Sequence, residues 1–67
     1  MPPMDFDFII TVNGERIVVT VDEKEAEQLY DLMLKRRHDN VKQMSLICRS
    51  TYKGRSWESV HKEFKNE

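Results

Sequence analysis

Asn13-Gly14 stands between two runs rich in β-branched and aromatic residues, DFDFIITV before it and ERIVVTV after it. An Asn-Gly pair so flanked is the composition of a type I′ two-residue turn, in which both central residues need positive φ. Residues 5–21 are therefore predicted to form an antiparallel β-hairpin. A two-residue loop opposes Val12 to Glu15, Thr11 to Arg16, Ile10 to Ile17, Ile9 to Val18, Phe8 to Val19 and Phe6 to Val21. Side chains alternate along a strand, so Ile10/Ile17, Phe8/Val19 and Phe6/Val21 share one face. The other face carries Asp7/Thr20, Thr11/Arg16 and, between them, the apolar pair Ile9/Val18. A lone ribbon of two strands is marginal and has two open edges. Ile9 and Val18 are thus candidate protein-contact residues, covered by a helix or the N-terminal arm, or offered to a second copy or a partner strand.

After the hairpin the pattern turns helical. Asp22 can cap a helix with Glu25 as the reciprocal capping-box residue, and Val21 and Ala26 stand at the hydrophobic-staple positions. Ala26, Leu29, Tyr30 and Met33 recur at i, i+3, i+4 and i+7. Continued at about 100° per residue, the same helix would put Arg37 inside the apolar stripe, which is costly for an unpaired guanidinium. Asn40, with Gln43 three residues on, offers a fresh cap. The expected first helix is 22–37. A second, 41–53, has Val41, Met44, Ile47, Cys48 and Tyr52 on one face and Gly54 to terminate it. A third, 56–65, follows a Ser56 cap with Trp57, Val60, His61 and Phe64 together. The alternative is one continuous helix through 22–53. The expected fold class is α+β: a two-stranded antiparallel hairpin followed by two or three α-helices (ββααα) in a single domain with a flexible arm at 1–4, completed by dimerisation.

Sixty-seven residues lie near the lower limit for a self-sufficient core, which is the reason to expect dimerisation. No apolar run approaches the roughly 20 residues of a membrane helix, and the acidic start MPPMDFDF lacks the features of a secretory signal. One cysteine, Cys48, excludes an intrachain disulfide and suits a reducing cytoplasm.

The net charge of −1 conceals a division: residues 1–34 carry −6 and residues 35–67 carry +5. Part of this has a structural origin. Asp22, Glu23, Glu25 and Glu27 begin the first helix and Lys35, Arg36 and Arg37 end it, as the helix dipole favours. From Asn40 to Trp57, however, there are four bases, Lys42, Arg49, Lys53 and Arg55, and no acid. On a helix Lys42, Arg49 and Lys53 fall at i, i+7 and i+11, one stripe beside the apolar face. Ordinary solvated helices mix signs, and a one-sign stripe can neutralise phosphates. The expected function is a small non-enzymatic regulatory protein that binds nucleic acid through Lys42, Arg49, Lys53 and Arg55, with Lys35, Arg36 and Arg37 beside them. The alternative is a protein-interaction module, an adaptor or an inhibitor of a larger complex, that uses the hairpin edge or presents the basic stripe to an acidic partner.

Catalysis has little basis in the sequence. Gly14 and Gly54 are isolated, so there is no glycine-rich phosphate loop, and His38, Cys48 and His61 lack zinc-ligand spacing. Neither a cofactor nor a metal is expected. YKGRSWESVHKEF, from Tyr52 to Phe64, superficially resembles the glycine turn, serine cap and tryptophan entry of helix-turn-helix and Myb-like domains, but only three residues remain where a recognition helix should follow. The order of elements also resembles ribbon-helix-helix proteins loosely. Neither likeness assigns a family.

Overall fold

β1 (Asp5–Val12) and β2 (Glu15–Thr20) form the expected hairpin, and α1 (Glu23–Lys35) follows it. The remaining chain is a second hairpin, β3 (Gln43–Tyr52) and β4 (Arg55–Lys65), in place of the helices expected at 41–53 and 56–65. These elements come from a computed structural model that describes residues 5–66; the expected N-terminal arm at 1–4 lies outside them. The strands form one antiparallel sheet in the order β2-β1-β3-β4. The ββααα expectation is thus corrected to ββαββ.

The reason lies in β1. Phe6, Phe8, Ile10 and Val12 give it one apolar face, Ile9 adds an apolar residue to the other, and the hairpin leaves one of its edges unpaired. β3 fills that edge over the full length of β1, from Asp5↔Thr51 to Val12↔Met44. Met44, Leu46 and Cys48 then alternate with Ser45, Ile47 and Arg49, a period of two. Gly54 has the positive φ expected of a helix terminator, 77°, but with Lys53 at 50° it makes a type I′ turn. β2 and β3 run in the same direction with β1 between them, so their connection crosses a face of the sheet. α1 is that connection.

Phe8, Ile10, Ala26, Tyr30, Met44, Leu46 and Cys48 form the core between helix and sheet, with Leu29, Met33 and Phe64 packed against it. The helix stripe is the one its spacing predicts. Asp22 caps the helix by accepting from the Glu25 N–H at 3.2 Å. The reciprocal half of the box is absent: the Asp22 N–H donates to Thr20 Oγ1 at 3.3 Å instead. Val21 remains exposed, so it does not staple Ala26. The helix ends at Lys35, short of Arg37, which excludes a continuous helix through 22–53.

The first hairpin departs from its predicted register. Val12↔Glu15 and Thr11↔Arg16 hold, and then a bulge at Ile17 shifts the remainder to Ile10↔Val18, Ile9↔Val19 and Phe8↔Thr20. The extra residue leaves Ile17 and Val18 both on the helix side, Ile17 near Leu32 and Val18 against the core. Ile9 and Val18 are therefore not a pair and do not share a face.

The face away from α1 is organised in cross-strand rows. Val19, Ile9, Ile47 and Val60 make an apolar row across all four strands. Asp7, Arg49 and Glu58 flank it on one side; Arg16, Thr11, Ser45 and Glu63 flank it on the other. Among the described residues no helix covers this face, yet Ile9 is 0% exposed and Thr11 and Ser45 are buried. Arg16 on one edge strand reaches Glu58 on the other at 2.9 Å. The outer strands of a flat four-stranded sheet lie about 14 Å apart, so the sheet curls and the ion pair spans the Ile9–Ile47 row. The Thr11 and Ser45 hydroxyls hydrogen-bond to each other beneath it. Among the described residues no buried side-chain polar atom lacks a partner.

Candidate interaction surfaces

The predicted phosphate-binding stripe does not exist on this fold. Lys42 precedes β3, whereas Lys53 is in the turn beyond its other end, so the ten-residue strand separates them by about 33 Å. Arg49 lies on the curled face, where its Nη2 and Nε both donate to Asp7 Oδ2, at 2.8 and 3.3 Å. Lys53 Nζ folds over the Tyr52 ring at 5.4 Å, and Arg55 starts β4 opposite Tyr52. At the end of α1, Lys35 and Arg36 are exposed. Arg37 donates to the Leu34 carbonyl at 2.7 Å and lies 4.4 Å above the Phe64 ring. The structure thus divides the seven bases among both ends of β3, its middle and the end of the helix. The geometric ground for a nucleic-acid-binding regulator is lost with the helix that carried it.

The predicted contact pair fares differently. Ile9 is enclosed by its own sheet, and Val18 is half-buried beside Ile10 on the helix side. The apolar groups exposed on the sheet are elsewhere: Phe6 on β1, Ile17 and Val19 on β2, and Trp57 and Val60 on β4. Every residue from Arg55 to His61 is exposed, including Trp57 at 52% and Val60 at 56%. Tyr52 and Arg55 close a two-residue turn, so their backbone groups face each other. By alternation Trp57 and Ser59 also address β3, and Ser56, Glu58 and Val60 turn their N–H and C=O groups outward. β4 is an edge strand of 11 residues whose register shifts at His61, leaving Arg55–Val60 regularly paired; the other edge, β2, has six and is interrupted by the Ile17 bulge. A short edge broken near its middle is protected from further pairing, and the regular run Arg55–Val60 is less so. Sequence reasoning missed this surface because it read 56–65 as a helix. The available signal was Lys53-Gly54 as a second turn pair.

Among the described residues, concavities open on the helix side. One, about 470 Å³, is lined by Phe6, Phe8, Val21, Cys48 and His61, among others. Cys48 is buried, and His61 meets the edge of Phe8 with ring centroids 6.3 Å apart. No hydrogen bond joins Cys48 to His61, so the arrangement supplies no activated thiol. Another, about 400 Å³, opens between the end of α1 and the first hairpin; Arg36, Arg37 and His38 stand among its apolar walls. Among the described residues, no three His, Cys, Asp or Glu side chains gather as a metal site would require, and no helix is long and apolar enough to cross a membrane.

Compared with protein families, curated proteins and solved structures, the chain matches none.

Proposed function

We propose that this chain is a non-catalytic protein-interaction module that receives an extended partner strand along β4. The observation that carries the reading is the exposed edge from Arg55 to His61, with Trp57 and Val60 beside outward-facing backbone groups. Strand addition takes affinity from main-chain hydrogen bonds and specificity from alternate side chains. Here the alternate positions are distinct: Trp57 on the helix side and Glu58 and Val60 on the curled face. A second copy would use this same edge, which relocates the expected dimer contact from the first hairpin to the second. The free, buried thiol of Cys48 suits a reducing compartment such as the cytoplasm.

Val60→Pro tests the reading, because it removes an outward N–H and leaves the β3–β4 ladder intact. Affinity capture from cell extract with the unmodified chain should recover one stoichiometric protein that resists nuclease and is lost with Val60→Pro. Adding that protein, purified, should slow amide exchange at Ser56, Glu58 and Val60. Sedimentation of the chain alone reveals whether the partner is a second copy, in which case Val60→Pro yields monomer. A partner retained by Val60→Pro, or one released by nuclease, would falsify the edge as its site.

A further inference from the structure

The hollow at the far end of α1 is a built feature that the β4 reading does not use. The bulge in β2 creates one wall. Without the extra residue, Ile17 and Val18 would fall on opposite faces; with it, Ile17 joins Leu32 and Met33 across the gap. Val41, in the loop after the helix, forms the floor with Met44. Leu32 and Ile17 both line the hollow and are each nearly half exposed. The volume, about 400 Å³, accommodates a pair of bulky apolar side chains.

The charged groups lining this hollow are all basic or imidazole: Arg36, Arg37 and His38, and no carboxylate. The helix dipole accounts for a base near the last carbonyls, and Arg37 takes that role by donating to Leu34. Its stack on Phe64 holds the guanidinium still. Arg36 has no such partner; among the described residues neither it nor Arg37 pairs with an acid. A pocket for a small molecule encloses most of its ligand. This one is open, with half-exposed walls, and it suits an anchor whose backbone remains outside.

We infer that this hollow is a second docking site, for a short acidic segment of a partner protein that inserts an aliphatic or aromatic anchor between Ile17 and Leu32 while its carboxylates meet Arg36 and Arg37. It does not depend on the β4 edge, which lies across the sheet.

The test uses the full chain, isotope-labelled, titrated with the blocked heptapeptide Glu-Asp-Glu-Leu-Glu-Asp-Glu and followed by amide shifts. Saturable shifts should cluster at Ile17, Leu32, Arg36 and Val41. Replacing the peptide leucine by serine, or its acids by glutamine, should each weaken binding about tenfold. Arg36→Glu should weaken it by a similar factor, and Leu32→Asp should abolish it; both positions are exposed, so the fold persists. Binding that survives loss of the peptide leucine would reduce the site to charge attraction and overturn the inference. So would binding indifferent to Arg36→Glu, shifts that never saturate, or shifts at these amides with dodecanoate but not with the peptide, which would assign the hollow to a lipid.

Discussion

Asn13-Gly14 and Lys53-Gly54 turn their hairpins through the same pair of left-handed residues, with φ of 52° and 82° in the first and 50° and 77° in the second. Their surroundings differ. Asn13 is tied into the chain beyond the helix: its Oδ1 accepts from the Lys42 and Gln43 N–H groups at 2.7 and 3.1 Å, and its Nδ2 donates to the Asn40 carbonyl at 3.2 Å. Its own N–H donates to the Gln43 carbonyl at 2.8 Å, and the Gly14 N–H donates to Gln43 Oε1 at 3.0 Å. One turn therefore positions the start of β3 as well as reversing β1. Among the described residues the Lys53 turn makes no comparable bond to another element. The same backbone device serves in one place as a brace between elements and in the other as a reversal between two strands. Sequence-local chemistry sets the turn; tertiary contacts set what it is for.

The sharpest way to break this comparison is through the apolar row that both hairpins share. Ile9 and Val60 lie on that row, Ile9 wholly buried and Val60 mostly exposed. Ile9→Ala should cost about 2–5 kcal/mol, the range for a core aliphatic residue, although among the described residues no helix covers it. Val60→Ala should change stability by less than about 0.5 kcal/mol. Urea unfolding of both variants measures this. Equal, small effects would mean that the curl does not seal Ile9 and that the two hairpins present one flat face.

The turns themselves supply the next contrast. Asn13→Ala removes three side-chain hydrogen bonds and places a residue less tolerant of positive φ at 52°; the expected loss is about 2 kcal/mol. Lys53→Ala should be nearly neutral. Lys53→Asn should stabilise by about 0.5–1 kcal/mol, since asparagine enters the left-handed region more readily. If the two alanine variants cost the same, the brace is an accident of geometry and not a source of stability.

How much of this was legible follows from the same pair. Asn-Gly within an alternating run announces a hairpin in any context, and the Asp22 cap with its Ala26–Met33 stripe announces a helix. Two things obscured the rest. Val41, Met44, Ile47, Cys48 and Tyr52 satisfy a period of 3.6, while Met44, Leu46 and Cys48 satisfy a period of two; a ten-residue segment does not separate the two patterns. The free edge of β1 decides between them, and that is a property of the sheet. Lys53-Gly54 reads as a helix end because glycine in the left-handed region serves both purposes. The functional site went with the fold. Lys42, Arg49 and Lys53 align only at helical spacing, and on a strand the odd separation of Lys42 and Arg49 sends them to opposite faces. The bulge at Ile17 has no local signature, so the first hairpin was located correctly and registered wrongly beyond Arg16.

Arg16 and Glu58 provide a finer probe, because each belongs to a different hairpin. Both side chains are substantially exposed, 49% and 38%, so a double-mutant cycle with Arg16→Ala and Glu58→Ala should give a coupling of only about 0.2–1 kcal/mol, decreasing in high salt. A coupling of zero at low salt would say that the sheet does not curl far enough for its edges to meet. A larger one would say that the pair is closed off from solvent over Ile47.

The smallest expected effect concerns the link between the second hairpin and the helix. Lys62 on β4 pairs with Asp31 at 3.2 Å and approaches the ring of Tyr30 at 5.9 Å. Burial raises the Tyr30 hydroxyl above its ordinary value of 10.0, and the charges of Asp31 and Glu63 raise it further. A neutral Tyr30 is thus favoured by the folded state. Its contribution to stability is whole below pH 10 and is lost as pH climbs from the unfolded value through the raised folded one. Tyr30→Phe should flatten that alkaline decline. In a Tyr52→Phe background, tyrosinate absorbance reports Tyr30 alone; its midpoint should lie above 10 and return only part of the way in Asp31→Asn, because burial is the larger cause. If Asp31→Asn restored the ordinary midpoint in full, charge and not burial would be holding the proton, and α1 would rest on the sheet less closely than the core contacts of Tyr30 require.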